Sequence, residues 1–118
     1  MAQKTVLIVD DQDDIRKTLR TIIEKEGYTV IEAISGDDAL VKLKNATPSL
    51  IFMDIMMPGT PVIDIVRKIT GTKIVYVSAV RATESEKKQI FHDSNIAAYI
   101  EKPFNIKDVT ACLKKLTQ

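Results

Sequence analysis

The chain has 118 residues, 45% of them hydrophobic and 28% charged, a balance that predicts a single globular domain with its own core. The net charge of +1 argues against a general attraction to nucleic acid or to an anionic membrane, so we expect neither as a partner. One cysteine excludes an internal disulfide, and we see neither a secretion signal nor a membrane span of about 20 apolar residues. A cytoplasmic protein is therefore expected.

Short apolar runs alternate with segments of helical periodicity along the whole chain, which predicts five βα units. The predicted strands are Thr5 to Val9, Tyr28 to Ala33, Leu50 to Met53 (ending at Asp54), Lys73 to Ser78 and Ile96 to Ile100. Strict alternation favours a parallel sheet with helices on both faces, and we predict the flavodoxin-like strand order 2-1-3-4-5.

Each predicted helix carries recognisable start or stop signals. The first starts near Asp13 or Asp14 and stops at Gly27, the second opens at Ser35, and Pro61 is predicted as the first residue of the third. A fourth helix, capped by Thr83 or Ser85, is predicted from about Thr83 to Asp93, and its only large apolar residues are Ile90 and Phe91. The fifth is capped by Asn105, with an apolar face made of Ile106, Val109, Leu113 and Leu116.

Polar side chains stand at the carboxyl ends of the predicted strands, the edge at which open α/β sheets bind ligands. Asp10 and Asp11 follow the first strand and Asp54 follows the third, its neighbour in the predicted sheet. Three clustered carboxylates favour a hard divalent cation such as Mg²⁺. With Ser78 and Lys102 at the same edge, the set is suited to phosphoryl transfer with Asp54 as the nucleophile.

Over essentially its whole length the chain resembles the receiver domain of two-component response regulators, of the single-domain chemotaxis-regulator type. The motifs that carry the resemblance are Val9-Asp10-Asp11, Met53-Asp54-Ile55-Met56-Met57-Pro58, Val77-Ser78-Ala79 and Lys102-Pro103-Phe104. Each motif alone is weak evidence, but all four occur in order, each at a strand end. Residues 1–118 are then expected to form one receiver domain without an output domain.

The resemblance implies that Asp54 accepts a phosphoryl group from a sensor histidine kinase or a small phosphodonor, making the protein a signalling phosphoacceptor and not an enzyme. It implies Mg²⁺ held by Asp11, Asp54 and the Met56 carbonyl, with Asp10 assisting. Lys102 would bind the phosphoryl group, and its peptide bond to Pro103 would be cis. Ser78 and Tyr99 would be the switch residues.

The implied output is a change in the surface formed by the fourth helix, fifth strand and fifth helix. That surface would control the binding of an unidentified protein target, or the phosphoryl group would be relayed onward. The resemblance leaves the protein either a monomer or a weak phosphorylation-dependent dimer.

The sequence departs from the family pattern at several positions. Pro61 and Val62 replace the usual Asp or Asn and Gly before the third helix, so we expect a changed helix entry. Asn95 replaces a usual glycine, and we expect it to tolerate a left-handed turn. The span from Ser78 to Lys102 is longer than is common, which leaves the path of the fourth helix open. Met56 and Val80 carry no polar group to orient water, which predicts slow self-dephosphorylation.

The same residues argue against two other functional classes and leave a third open. A phosphatase of the haloacid dehalogenase type needs an acidic residue where Met56 stands. A flavodoxin-like cofactor carrier is disfavoured because the loop from Asp10 to Asp14 carries four carboxylates, which repel a phosphate. A receiver-shaped interaction module that works without phosphorylation stays open as an alternative.

Overall fold

The computed structural model describes residues 4–80, 83–92 and 95–117, and for residues 89–92 it describes the backbone alone. Five strands and five helices alternate along this part of the chain. The strands are β1 (Thr5–Val9), β2 (Thr29–Ala33), β3 (Leu50–Met53), β4 (Lys73–Ser78) and β5 (Ile96–Glu101). The helices are α1 (Asp13–Lys25), α2 (Gly36–Leu43), α3 (Val62–Arg67), α4 (Glu84–His92) and α5 (Ile106–Leu116).

The five strands form one parallel sheet in the order β2-β1-β3-β4-β5, so the predicted fold class is confirmed. The chain reverses its direction of winding at β1, which places β1 beside β3. Val9 pairs with Met53 at the end of these two strands. The next residues, Asp10 and Asp54, therefore emerge side by side beyond the carboxyl edge of the sheet.

Two apolar layers hold the sheet between its helices, because successive side chains of a strand point to opposite faces. Val6 and Ile8 of β1 pack in one layer with α1 and α5, and Leu7 and Val9 pack in the other with α2 and α3. β3 is buried along its whole length, including Phe52. Burial of each such side chain stabilises the fold by roughly 1.5 to 3 kcal/mol, which makes the strand ends a rigid base for polar groups.

The helix starts follow local capping chemistry. Ser35 Oγ accepts a hydrogen bond from Asp38 N at 3.0 Å, and Asn105 Oδ1 accepts one from Asp108 N at 2.8 Å. Thr83 Oγ1 accepts from Glu86 N at 3.1 Å, while the Glu86 carboxylate accepts from Thr83 N, which is a capping box. These contacts confirm the helix start predicted at Ser35 and the cap predicted at Asn105, and of the two caps predicted for α4 they identify Thr83.

Three predictions about the helices and turns were wrong. Pro61 precedes α3 as its N-cap residue, because its ψ of 137° is extended and not helical. Ile106, the first residue of α5, is 65% exposed, whereas Val109 and Leu113 of the same predicted face are fully buried. Asn95 does not adopt a left-handed turn: no described residue other than glycine has a positive φ.

Asn95 instead uses its amide. Its Nδ2 donates to Val66 O at 3.2 Å and to Ile69 O at 3.0 Å, and so satisfies carbonyls at the end of α3. The predicted contribution of Ile90 and Phe91 to α4 lies outside the described side chains, as does the helix end predicted at Asp93. None of the helices that the structure describes has the length and apolar composition of a membrane span.

Candidate functional site

Asp10, Asp11 and Asp54 meet at the carboxyl edge of the sheet, as the strand order predicts. Each offers one carboxylate oxygen, and the three oxygens lie within 4.8 Å of one another. Asp10 is 1% and Asp54 4% exposed, whereas Asp11 faces solvent. The site thus has a buried floor made by two carboxylates and an open rim at the third.

Backbone amides fix the orientation of the two buried carboxylates. Gln12 N donates to Asp10 Oδ1 at 2.8 Å, and Met56 N donates to Asp54 Oδ1 at 2.9 Å. In both cases the donor lies two residues after the aspartate, the arrangement of an Asx turn. The sheet continues into the site, since Asp54 N donates to Val9 O at 2.9 Å. One oxygen of each aspartate is therefore occupied by the loop that follows it, and the other points at Lys102.

Lys102 supplies the positive charge at the floor of the site. Its Nζ donates to Asp10 Oδ2 at 2.9 Å and lies 3.4 Å from Asp54 Oδ2. The side chain is 13% exposed. Lys102 N donates to Ser78 O at 2.8 Å, and the peptide bond from Lys102 to Pro103 is cis. The end of β4 and the turn after β5 together aim the ammonium group at both aspartates.

Burial and charge shift the pKa values of the two facing groups. The pKa of Asp54 is raised above its usual value, chiefly by burial and further by the negative charge of Asp10. The hydrogen bond from Met56 N lowers this pKa but does not cancel the rise. Burial alone would lower the pKa of Lys102, but its bonds to Asp10 and Asp54 outweigh burial and raise it. Lys102 lies closer to Asp10 than to Asp54, so it neutralises Asp54 incompletely. The ionised Asp54 carboxylate is consequently a costly group that a further cation would stabilise.

The donor set fits a magnesium ion. It consists of carboxylate oxygens, two of them already oriented by backbone amides, around an edge that is open on the side of Asp11. Hard oxygen donors of this kind, together with water, suit Mg²⁺. The Met56 carbonyl belongs to the same loop as Asp54, and its part in holding the ion stays a prediction.

Ser78 and Tyr99 both contact the segment that follows β4. Ser78 is wholly buried, and its Oγ accepts a hydrogen bond from Val80 N at 3.1 Å. The Tyr99 hydroxyl donates to Val80 O at 2.5 Å. The Tyr99 ring stands edge-on to Tyr76 at 6.5 Å, and Lys87 Nζ of α4 lies 5.9 Å from its centre. The sequence singled out Ser78 and Tyr99 but not the backbone of Val80, whose N–H and carbonyl link them.

Met56 and Val80 line the rim with apolar side chains. Met56 is 63% and Val80 41% exposed, so both face solvent next to the polar site. Neither side chain can take up a proton from water: Val80 has no polar atom, and Met56 offers only a thioether sulfur, which is a weak hydrogen-bond acceptor. The geometry is thus consistent with the slow self-dephosphorylation that the sequence predicts, which stays a prediction.

Sequence reasoning missed Arg16. Its guanidinium donates to Asp10 O at 2.8 Å and to Glu32 Oε1 at 3.1 Å. An arginine three residues after Asp13 resembles an ordinary helix ion pair, and such a pair is present at 3.0 Å. The contact with Glu32 depends on the pairing of β1 with β2, and no periodicity in the sequence signals it.

A family model of the response regulator receiver domain matches residues 6–114. The chain belongs to this family. The transcriptional regulatory protein ResD of Bacillus subtilis is 38% identical over 114 residues, which cover 94% of this chain and 47% of ResD. The chain spans about half the length of the first curated relatives that it matches.

Solved receiver domains have the same fold. The chemotaxis response regulator CheY4 of Vibrio cholerae has a TM-score of 0.85 and 27% identity, covering 98% of this chain and 99% of CheY4. The response regulator TrrA of Thermotoga maritima, solved in complex with Mg²⁺ and BeF, has a TM-score of 0.82 and 29% identity. That alignment covers 97% of this chain and 99% of TrrA.

Membership of the family establishes what kind of protein the chain is. Receiver domains are signalling phosphoacceptors that act with histidine kinases and bind Mg²⁺ at an aspartate cluster, and here Asp10, Asp11 and Asp54 form such a cluster. The haloacid dehalogenase and flavodoxin-like alternatives are therefore set aside. Relatives such as ResD are transcriptional regulators, so the comparisons give no support to the expected exclusion of nucleic acid.

Proposed function

We propose that Asp54 is the phosphoacceptor of a receiver that is controlled by phosphorylation. One observation carries the proposal: Asp54 ends the central strand β3, is 4% exposed, and faces both the Lys102 ammonium group and the carboxylates of Asp10 and Asp11. A carboxylate so placed is a nucleophile beside groups that offset phosphoryl charge. The complex of TrrA with Mg²⁺ and BeF supports a magnesium-dependent site in this chain too.

In the proposed reaction, the phosphoryl group passes to Asp54 from a phosphohistidine of a sensor kinase. One Oδ atom of Asp54 attacks phosphorus and forms the O–P bond. The P–N bond breaks, its electron pair goes to the imidazole nitrogen, and that nitrogen takes up a proton from water. An acyl phosphate donor would release its carboxylate instead.

The other residues hold and stabilise the transferred group. Lys102 Nζ exchanges its contact with Asp54 for a phosphoryl oxygen while keeping the 2.9 Å bond to Asp10. Asp10, Asp11, Asp54 and the Met56 carbonyl would hold Mg²⁺, which supplies neutralisation of the phosphoryl oxygens when bound. Asp54 must be ionised both to attack phosphorus and to bind the cation. Because its pKa is raised, the metal-free site should lose activity earlier, as the pH is lowered, than a site with an ordinary aspartate.

The output follows from the shared Val80 contact. Ser78 Oγ accepts from Val80 N, so the Ser78 proton is available to a new acceptor such as a phosphoryl oxygen. A shift of Ser78 toward that oxygen moves the backbone of Val80, whose carbonyl accepts a hydrogen bond from the Tyr99 hydroxyl. Tyr99 lies against Lys87 of α4, so the change reaches the α4–β5–α5 surface, where a protein target would bind.

Beryllium fluoride with Mg²⁺ tests this switch, because a fluoroberyllate bound to a carboxylate has the tetrahedral shape of a phosphoryl group. We expect amide chemical shifts to change at Asp54, Val80 and Tyr99 in wild type and at none of them in Asp54→Asn. Tyr99→Phe should still respond at Asp54, with smaller changes in α4, because it loses the hydroxyl bond to Val80. Changes confined to the aspartate cluster of wild type would contradict the switch, and no response of wild type would contradict the proposed site.

A further inference from the structure

Arg16 reaches from the first turns of α1 back to the end of β1. Its Nη1 donates to Asp10 O at 2.8 Å, and the side chain is 12% exposed. That carbonyl belongs to the peptide that joins Asp10 to Asp11. A largely buried guanidinium therefore holds the backbone between two members of the aspartate cluster.

The other sides of the guanidinium are fixed as well. Nε donates to Glu32 Oε1 on β2 at 3.1 Å, and Nη2 donates to Asp13 Oδ1 on α1 at 3.0 Å. Glu32 is held in turn by Arg20 Nη1 at 2.5 Å. Because the guanidinium is planar and rigid, three contacts in three directions leave the Asp10–Asp11 peptide little freedom relative to β2 and α1. The Glu32 charge also offsets that of Arg16, which would otherwise repel a cation nearby.

We infer that Arg16 is a positioning residue for the metal site, an inference that rests on the proposed function. Asp11 is exposed, so packing does not set the direction of its carboxylate, and its backbone must do so. By fixing the peptide between Asp10 and Asp11, Arg16 keeps the Asp11 carboxylate within reach of the two buried ones. No described contact joins the Arg16 side chain to a carboxylate of Asp10, Asp11 or Asp54.

Arg20 provides a matched control within the same network. It shares Glu32 with Arg16 and also pairs with Glu24 at 3.4 Å, and no described contact joins it to the aspartate loop. Loss of Arg20 weakens the network that surrounds Arg16 but leaves the bond from Arg16 to Asp10 O intact. A purely stabilising role of the network predicts similar effects of the two arginines, whereas positioning predicts an effect of Arg16 alone.

The test is a calorimetric titration of the full chain with Mg²⁺ alone, without a phosphodonor. Arg16→Ala and Arg16→Lys should each weaken Mg²⁺ binding about tenfold or more, the usual effect of removing a group that orients a metal ligand. Arg16→Lys keeps the positive charge but loses the planar guanidinium with its several donors, so it separates the effect of geometry from that of charge. It also replaces the alanine variant in the test if that variant does not fold. Arg20→Ala should match wild type within about twofold, because it leaves the loop contact intact.

Each outcome has a definite meaning. Wild-type affinity in Arg16→Lys would overturn the inference, since charge alone would then suffice. An equal loss in Arg20→Ala would also overturn it in favour of general stabilisation. Failure of the wild-type protein to bind Mg²⁺ would overturn the proposed function itself. If the wild-type protein is phosphorylated but both Arg16 variants bind Mg²⁺ as tightly as it does, the inference about Arg16 alone is overturned.

Discussion

Replacement of Lys102 by methionine should lower the free energy of unfolding by about 3 kcal/mol at pH 7 without metal, as when one partner of a buried ion pair is removed. Lys102 is 13% exposed, and it is the described cation that contacts both Asp10 and Asp54. Methionine keeps the length and apolar stem of lysine but leaves two buried carboxylates facing each other. Urea unfolding of both proteins measures the difference.

The pH dependence identifies the cause. The pKa of Lys102 is raised in the folded state. Lys102 therefore stabilises the fold fully at pH values below its pKa in the unfolded chain, and this stabilisation is lost as the pH rises through its pKa in the folded protein. The difference between the proteins should also shrink in acid, where the carboxylates become protonated, and added Mg²⁺ should reduce it at pH 7 by replacing the lost charge. Lys107→Met, at an exposed position of α5, is the control. A difference that persists in acid would contradict an electrostatic origin.

The phosphorylated protein should lose its phosphoryl group slowly, and Met56→Asn combined with Val80→Glu should shorten its lifetime about tenfold or more. Both wild-type side chains lie exposed at the rim and are apolar. An amide and a carboxylate at these places can hold and polarise the attacking water. The measurement is the decay of phosphoprotein after removal of the phosphodonor, in the presence of Mg²⁺.

The control for this prediction is Ile63→Asn, which adds the same polar group at a 40% exposed position of α3. It should leave the lifetime unchanged. A wild-type half-life of seconds would show that apolar side chains at the rim do not slow the reaction. An equal effect of Ile63→Asn would show that the two rim positions are not special.

The strands and the aspartate cluster could be predicted because each depends on a local pattern. An apolar run that ends in Asp54 specifies both a buried strand and a carboxylate at its end, and the strand order then brings Asp10 beside it. The position of Lys102 directly after the fifth strand also predicted that it lies at the same edge of the sheet. These features agree at every level, from pattern to packing, which is why the sequence was informative there.

The contacts that could not be predicted join residues far apart in sequence. The bond of Asn95 to the end of α3 depends on where the turn before β5 passes, and local preference wrongly suggested a left-handed backbone. Arg16 meets Glu32 only once β1 and β2 have paired. Ile106 shares the helical period of the buried face, yet whether a first turn is covered depends on its neighbours in space. Periodicity predicts a face but not how far the covering layer extends.

The most direct test of the central claim is the intact mass of the protein after incubation with acetyl phosphate or phosphoramidate and Mg²⁺, for wild type and Asp54→Asn. We expect wild type to gain one phosphoryl group, Asp54→Asn to gain none, and the gain to disappear when Mg²⁺ is chelated. Phosphorylation of Asp54→Asn to the same extent as wild type, or phosphorylation of wild type that does not depend on a divalent cation, would contradict the account.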